Sequence, residues 1–150
     1  MLYPLRNKYR HLVDLSGFWD FRFDPDADDR DFLGPAWYQL IFMNPWDREK
    51  MKTFLRFGSV NYLSDVWLNG ELIGHHEGGH LPFEFDISNK ILSEDNLLVV
   101  KVDGRLSDKH VPPSGGPMNN PQTNFDFYPF CGIHRPVLLY AMCAGVNNLW

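Results

Sequence analysis

Ser64-Asp65-Val66-Trp67-Leu68-Asn69-Gly70-Glu71-Leu72-Ile73-Gly74 is the stretch that decides the fold. An apolar run meets Asn-Gly and a second run follows. Both turn residues tolerate a positive φ, which a two-residue hairpin loop demands. The stretch reads as two antiparallel strands joined by a tight turn.

Comparable runs lie on either side. Phe18 to Phe23 alternates, with Trp19, Phe21 and Phe23 on one side and Asp20 and Arg22 on the other. Trp37 to Met43, Thr53 to Phe57 and Arg135 to Met142 are further runs. Pro82 to Ile87 sets Phe83, Phe85 and Ile87 against Glu84 and Asp86. Leu97 to Val102 is almost wholly apolar, the pattern of a strand covered on both faces. Twelve Gly and eleven Pro punctuate these runs. Single helical turns are expected only at Pro45–Lys52 and Ser88–Ser93. Residues 104–127 read as a long ordered loop. Seven or eight short strands with no helical period imply an all-β, antiparallel sandwich or barrel.

The chain has 150 residues, the size of one domain, and buries enough surface to fold without staples. Aromatics make up 15 %, which suits a pleated, half-buried surface. The net charge of -5 argues against a nucleic-acid partner and against a polybasic membrane surface. No run of apolar residues is long enough to span a bilayer. The start, Met1-Leu2-Tyr3-Pro4-Leu5-Arg6, shows no signal-peptide core, so a cytoplasmic location is expected. Cys131 and Cys143 are too few for a disulfide framework and read as free thiols.

Two motifs imitate metal sites. His76-Glu77-Gly78-Gly79-His80 matches H-E-x-x-H, whose zinc chemistry needs both histidines on one helical face. Two adjacent glycines cost a helix about 2 kcal/mol, and Pro82 follows at once. A glycine-rich loop between strands is the expectation, rather than a hydrolase using His76, Glu77 and His80. The acidic run Asp24, Asp26, Asp28, Asp29 and Asp31 opens like a calcium loop. It has Asp29 where that loop needs Gly and Pro35 where it needs Glu. No metal and no cofactor are expected. Glycoside hydrolysis needs two placed carboxylates, and none of the five glutamates is singled out by its setting.

Four blocks in order carry a family resemblance. They are Met1–Pro4 with Leu15-Ser16-Gly17-Phe18-Trp19-Asp20-Phe21; Trp37-Tyr38 with Leu55-Arg56-Phe57-Gly58-Ser59-Val60-Asn61-Tyr62; Val66-Trp67-Leu68-Asn69-Gly70 with His76-Glu77-Gly78-Gly79-His80-Leu81-Pro82-Phe83; and Asn124-Phe125-Asp126-Phe127 with Gly132-Ile133-His134-Arg135-Pro136. Together they resemble the N-terminal sugar-binding domain of glycoside hydrolase family 2, most closely its β-glucuronidases.

The resemblance implies a galactose-binding-domain-like jelly-roll β-sandwich across residues 1–150. It implies that the catalytic glutamates sit in a (β/α)8 barrel which, with an Ig-like domain, is absent from this sequence. It implies one substrate-binding residue here, Asp126, whose carboxylate would reach a glucuronide-type sugar in the full-length context. His134 and Arg135 match the family as well, with structural roles as fitting as functional ones. Catalytic residues and cofactors are expected to be none.

The sequence departs from the family in a short connection at residues 24–36 and an unusual tail at 141–150. Met43, Trp46, Met51 and Trp150 are exposed-interface residue types. They raise the alternative of an engineered, self-associating interaction scaffold built on this domain.

Overall fold

The computed structural model describes residues 3–24, 35–105 and 131–143. Eleven strands are found there: β1 Arg10–Asp14, β2 Asp20–Phe23, β3 Pro35–Met43, β4 Met51–Phe57, β5 Val60–Asn61, β6 Leu63–Leu68, β7 Glu71–Glu77, β8 Phe83–Asp86, β9 Asp95–Asp103, β10 Gly132–Ile133 and β11 Val137–Cys143. They form a four-stranded sheet in the order β1-β11-β4-β8 and a five-stranded sheet in the order β2-β3-β9-β6-β7. A short ribbon pairs β10 with β5. Every pairing is antiparallel. No helix long and apolar enough to cross a membrane occurs among the described residues.

The hairpin forms where the Asn-Gly dipeptide stands. Asn69 has φ 54° and Gly70 φ 83°. Asn69 also ties the turn to the rest of the sheet. Its Nδ2 donates to the Lys90 carbonyl (3.1 Å) and to Asn96 Oδ1 (3.0 Å), and its Oδ1 accepts from the Leu97 N–H (2.9 Å).

The core lies between the two sheets. Leu55 and Phe57 of β4 and Val137 and Leu139 of β11 meet Val66 and Leu68 of β6 and Leu98, Val100 and Val102 of β9. All are within 1 % of full burial, as is Ile87 after β8. These are the inward positions of period-two strands, so alternation alone places them.

Several expectations are revised. β1 and the two-residue β5 and β10 carry too little pattern to be read as strands. β2 begins only at Asp20, and Phe21 and Phe23 stay half exposed because β2 is an edge strand overhanging the opposite sheet. β7 runs on through His75, His76 and Glu77 rather than stopping at Gly74. β9 is covered on one face only: Asn96, Leu98, Val100 and Val102 are buried, while Leu97, Val99 and Lys101 alternate with them as half-buried residues. Pro45–Lys52 holds a single turn closed by the Lys50 N–H and the Met51 N–H on the Asp47 carbonyl. Ser88–Ser93 holds another, closed by Lys90 and Ile91 on the Ile87 carbonyl. The acidic run from Asp26 onward and most of the 104–127 loop lie outside the described residues.

Candidate functional site

An open cleft of about 490 Å³ lies where the overhanging β2 edge faces the turn between β10 and β11. Trp19, Phe21 and Tyr38 form its aromatic wall; Ile133, His134, Arg135 and Pro136 stand opposite. Phe18, next to Trp19, is fully exposed.

Local chemistry holds each wall. Gly17 takes φ 139°, which lets the chain turn sharply after β1. The Leu15 N–H donates to the Val137 carbonyl (2.8 Å), and the Val137 N–H donates to Ser16 Oγ (3.3 Å). These bonds sew the turn to the start of β11. The Trp19 indole N–H donates to the Leu15 carbonyl (3.0 Å) and so fixes the ring. Phe21 meets Tyr38 edge-to-face at 5.1 Å. Burial, followed by the nearby Cys131, raises the Tyr38 phenol above its ordinary pKa. Burial, with help from Asp103, likewise pushes the Cys131 thiol up to about 11. Gly132 has φ 136°, and a Cβ there would stand 2.8 Å from the Tyr38 hydroxyl. Glycine is required on both counts.

Segments of the second, third and fourth blocks, residues 59–62, 78–80 and 134–135, meet beside this cleft, and their contacts are structural. The Gly78 N–H donates to the Tyr62 carbonyl (3.1 Å), Ser59 Oγ donates to the Gly79 carbonyl (2.6 Å), and the His134 N–H donates to the Ser59 carbonyl (3.1 Å). Arg135 Nη1 reaches the His80 carbonyl at 3.5 Å. A Cβ on Gly79 would collide with the Asn61 amide. His76 is stacked on Phe83 with ring centroids 3.9 Å apart. Strand geometry, the φ of 124° at Gly78 and that stacking keep His76 and His80 from sharing a helical face. Among the described residues no three His, Cys, Asp or Glu side chains gather as a metal site.

Asp126 and Trp150 lie outside the described residues. Met43 is 69 % exposed at the end of β3. Trp46 packs against the core, and Met51 is half buried at the start of β4 in the other sheet, so the three do not form one patch. The aromatic cleft itself was not legible in the sequence.

The described residues form an antiparallel sandwich with an aromatic cleft at one sheet edge. Residues 19–143 match the family model described as "Glycosyl hydrolases family 2, sugar binding domain", and the chain belongs to that family. It is 30 % identical to the β-glucuronidase of Sus scrofa, a match covering 93 % of this chain and 30 % of that protein. It is 28 % identical to the β-glucuronidase of Streptococcus agalactiae over 93 % of this chain and 29 % of that protein. The Sus scrofa match runs over 197 positions, more than the length of this chain, so that relative carries extra residues inside the matched span.

Among solved structures, a β-glucuronidase from an uncultured Clostridium superposes with a TM-score of 0.84 at 30 % identity, covering 95 % of this chain and 31 % of that one. The Bifidobacterium dentium β-glucuronidase complexed with coumarin-3-O-glucuronide superposes at 0.80 with 31 % identity, covering 96 % and 32 %. The chain thus spans about a third of the length of the relatives it matches.

Proposed function

We propose that this chain serves as the sugar-binding domain of a β-glucuronidase-type glycoside hydrolase and does not hydrolyse glycosides by itself. The family match carries the reading: residues 19–143 match the sugar-binding domain of glycosyl hydrolases family 2, and the chain spans about a third of its β-glucuronidase relatives. The described lining of the cleft holds aromatic, hydroxyl and cationic groups. Hydrolysis in most glycosidase families needs two carboxyl groups flanking the scissile bond. On this reading they belong to a catalytic (β/α)8 region outside these 150 residues.

The domain's own contribution is Asp126. It precedes Cys131 by five residues, a reach of at most about 18 Å of chain. Cys131 itself lies close enough to Tyr38 to raise its pKa. A carboxylate accepts hydrogen bonds from two sugar hydroxyls, and a charged acceptor binds more strongly than a neutral one. Glucuronides are the sugar class because the relatives are β-glucuronidases, one of them holding a coumarin glucuronide.

A chromogenic glucuronide incubated with the purified chain tests the claim of inactivity. No release above the uncatalysed rate is expected at any protein concentration. Turnover that follows the chain through purification contradicts it. A second reading, an interaction scaffold, engineered or natural, has support in the exposed apolar residues of the five-stranded sheet.

A further inference from the structure

The connection between β7 and β8 is tied at one end to an imidazole and at the other to the cleft. The His76 ring stacks on Phe83 with centroids 3.9 Å apart, and Phe83 stacks on the fully buried Phe57 at 5.0 Å. His76 is thus the outermost of three stacked rings that run into the core. The imidazole is hydrogen-bonded to the Gly78 backbone. Its Nε2 is buried and has no hydrogen-bond partner among the described residues. A neutral ring leaves one polar atom unmet there, a modest cost. A protonated ring would carry a charged N–H with nothing to receive it, and burying an unpaired charge costs far more.

Gly78, which meets the ring, also starts the route to the cleft. Its N–H donates to the Tyr62 carbonyl (3.1 Å), and Ser59 Oγ donates to the Gly79 carbonyl (2.6 Å). Gly79 lies so close to the Asn61 amide that no side chain fits between them. Residues 59–62 therefore hold the 78–80 loop. They hold the cleft as well. Asn61 pairs with Gly132 and Val60 with Ile133, and the His134 N–H donates to the Ser59 carbonyl (3.1 Å). Arg135 Nη1, 3.5 Å from the His80 carbonyl, adds a direct link. Ile133, His134 and Arg135 are the cleft wall that faces Trp19.

We propose that His76 is a pH-sensitive latch on this wall. Uncharged, it keeps the 78–80 loop seated on residues 59–62 and the cleft in shape. Protonated, it leaves its stack, and the loop, residues 59–62 and the cleft wall loosen together. Histidine is the side chain whose charge changes near neutral pH, so mild acid is enough to act on it. The cleft is then formed at neutral pH and relaxed in acid. That this device regulates sugar binding rests on the function proposed above; the coupling of His76 to the wall does not.

The charges around the ring do not satisfy a protonated Nε2. Burial is the largest influence on His76 and lowers its pKa; His75 on the same strand acts the same way, and Glu77 opposes it. His75 is itself engaged by Asp65 of β6 (2.8 Å). On β8, Glu84 follows Phe83 and pairs with Arg56 of β4 (2.7 Å). Asp103 of β9, whose carbonyl accepts from the Tyr62 N–H, pairs with Arg105 (2.6 Å). On the loop side the charged or titratable groups are the bases His80, His134 and Arg135, which repel a new positive charge. None of the carboxylates hydrogen-bonds Nε2. The ring gains solvation for its charge by turning out, and turning out gives up both the Phe83 stack and the Gly78 contact.

Amide hydrogen exchange of the purified chain at pH 7 and pH 5.5, corrected for the intrinsic rate at each pH, tests this. No sugar is present, so its failure is distinct from failure of the sugar-binding reading. Protection of the Gly78 and His134 amides is expected to fall at least about threefold between the two conditions; linkage to one proton allows at most about tenfold per pH unit. Leu139, fully buried in β11, is expected to stay at least about tenfold better protected at both, because the loop opens short of global unfolding. In His76→Phe, which keeps a ring on Phe83, protection of Gly78 and His134 is expected to agree at the two pH values within about twofold. Unchanged protection in the parent overturns the proposal. So does a fall that persists in His76→Phe, or a Gly78 amide as well protected as Leu139. If His76→Phe does not fold, the double variant His80→Gln with His134→Gln decides: it leaves His76 as the imidazole at the loop, and the fall must survive in it.

Discussion

The ring of Phe85 occupies the space that a side chain at residue 74 would need. A Cβ on Gly74 would stand 2.8 Å from the Phe85 Cδ1 and Cζ and closer still to Cε1. Gly74 pairs with Val66 in one sheet and Phe85 with Leu55 in the other, so the contact joins the two layers. Gly74→Ala is expected to destabilise the domain by about 2–3 kcal/mol through overpacking. Adding Phe85→Leu is expected to recover part of that loss. Urea unfolding of the two variants checks it; a Gly74→Ala protein as stable as the parent contradicts the contact.

Asn69 combines a left-handed backbone with three side-chain hydrogen bonds. Asn69→Gly keeps the backbone freedom and loses the bonds, two of them to partners in the Asn96 region. Asn69→Ala loses both and is expected to be the worse by about 1 kcal/mol, the cost of placing Cβ in that conformation. Thermal unfolding of the pair orders them. Equal melting temperatures contradict the role of the positive φ.

Burial lowers the His76 pKa, against the opposing pull of a hydrogen bond to Gly78. Its Nε2 has no hydrogen-bond partner among the described residues. The unfolded chain therefore takes up a proton at higher pH than the folded one. Stability from this group is complete above pH 6.5 and is lost as the pH falls below it. His76→Phe keeps the stacking on Phe83 and is expected to flatten the stability profile between pH 6.5 and 5. An unchanged slope in that window contradicts the assignment.

Cys131, raised to about 11, gives the opposite sign. The folded state keeps its proton where the unfolded state has released it. Stability is complete below pH 9 and declines as the pH rises from 9 to 11, by about 1–2 kcal/mol after solvent screening of a partly exposed thiol. In a Cys143→Ser background, thiol modification at pH 8 is expected to be about 100-fold slower in the native protein than in urea. Equal rates contradict the burial.

Much of the sandwich was legible because its signals are local. Asn69-Gly70 specifies its own turn, and alternation in Phe83–Asp86 and in β4 follows from period-two geometry. β1 was missed because Arg10 to Asp14 offers only Leu12 and Val13 as apolar residues. The inward side of β2 was read correctly from alternation, but burial depends on what lies opposite, and β2 overhangs an edge. The apolar run of β9 reads as cover on both faces, but it reflects one buried face and one half-buried face on which Leu97 and Val99 stand among Asp95, Lys101 and Asp103. H-E-x-x-H was set aside by its glycines, yet the reason they are there, the Tyr62 and Asn61 contacts, is tertiary. The cleft needed the meeting of Trp19, Tyr38 and Arg135, which are distant in the chain. Asp126 came from the family resemblance and lies outside the described residues.

Titration of ¹⁵N-labelled protein with glucuronic acid tests the sugar-binding role of Asp126 most directly. Weak, millimolar binding is expected, with amide shifts concentrated at residues 16–21 and 131–137 that are lost in Asp126→Asn. Micromolar affinity, or binding unchanged in Asp126→Asn, contradicts it.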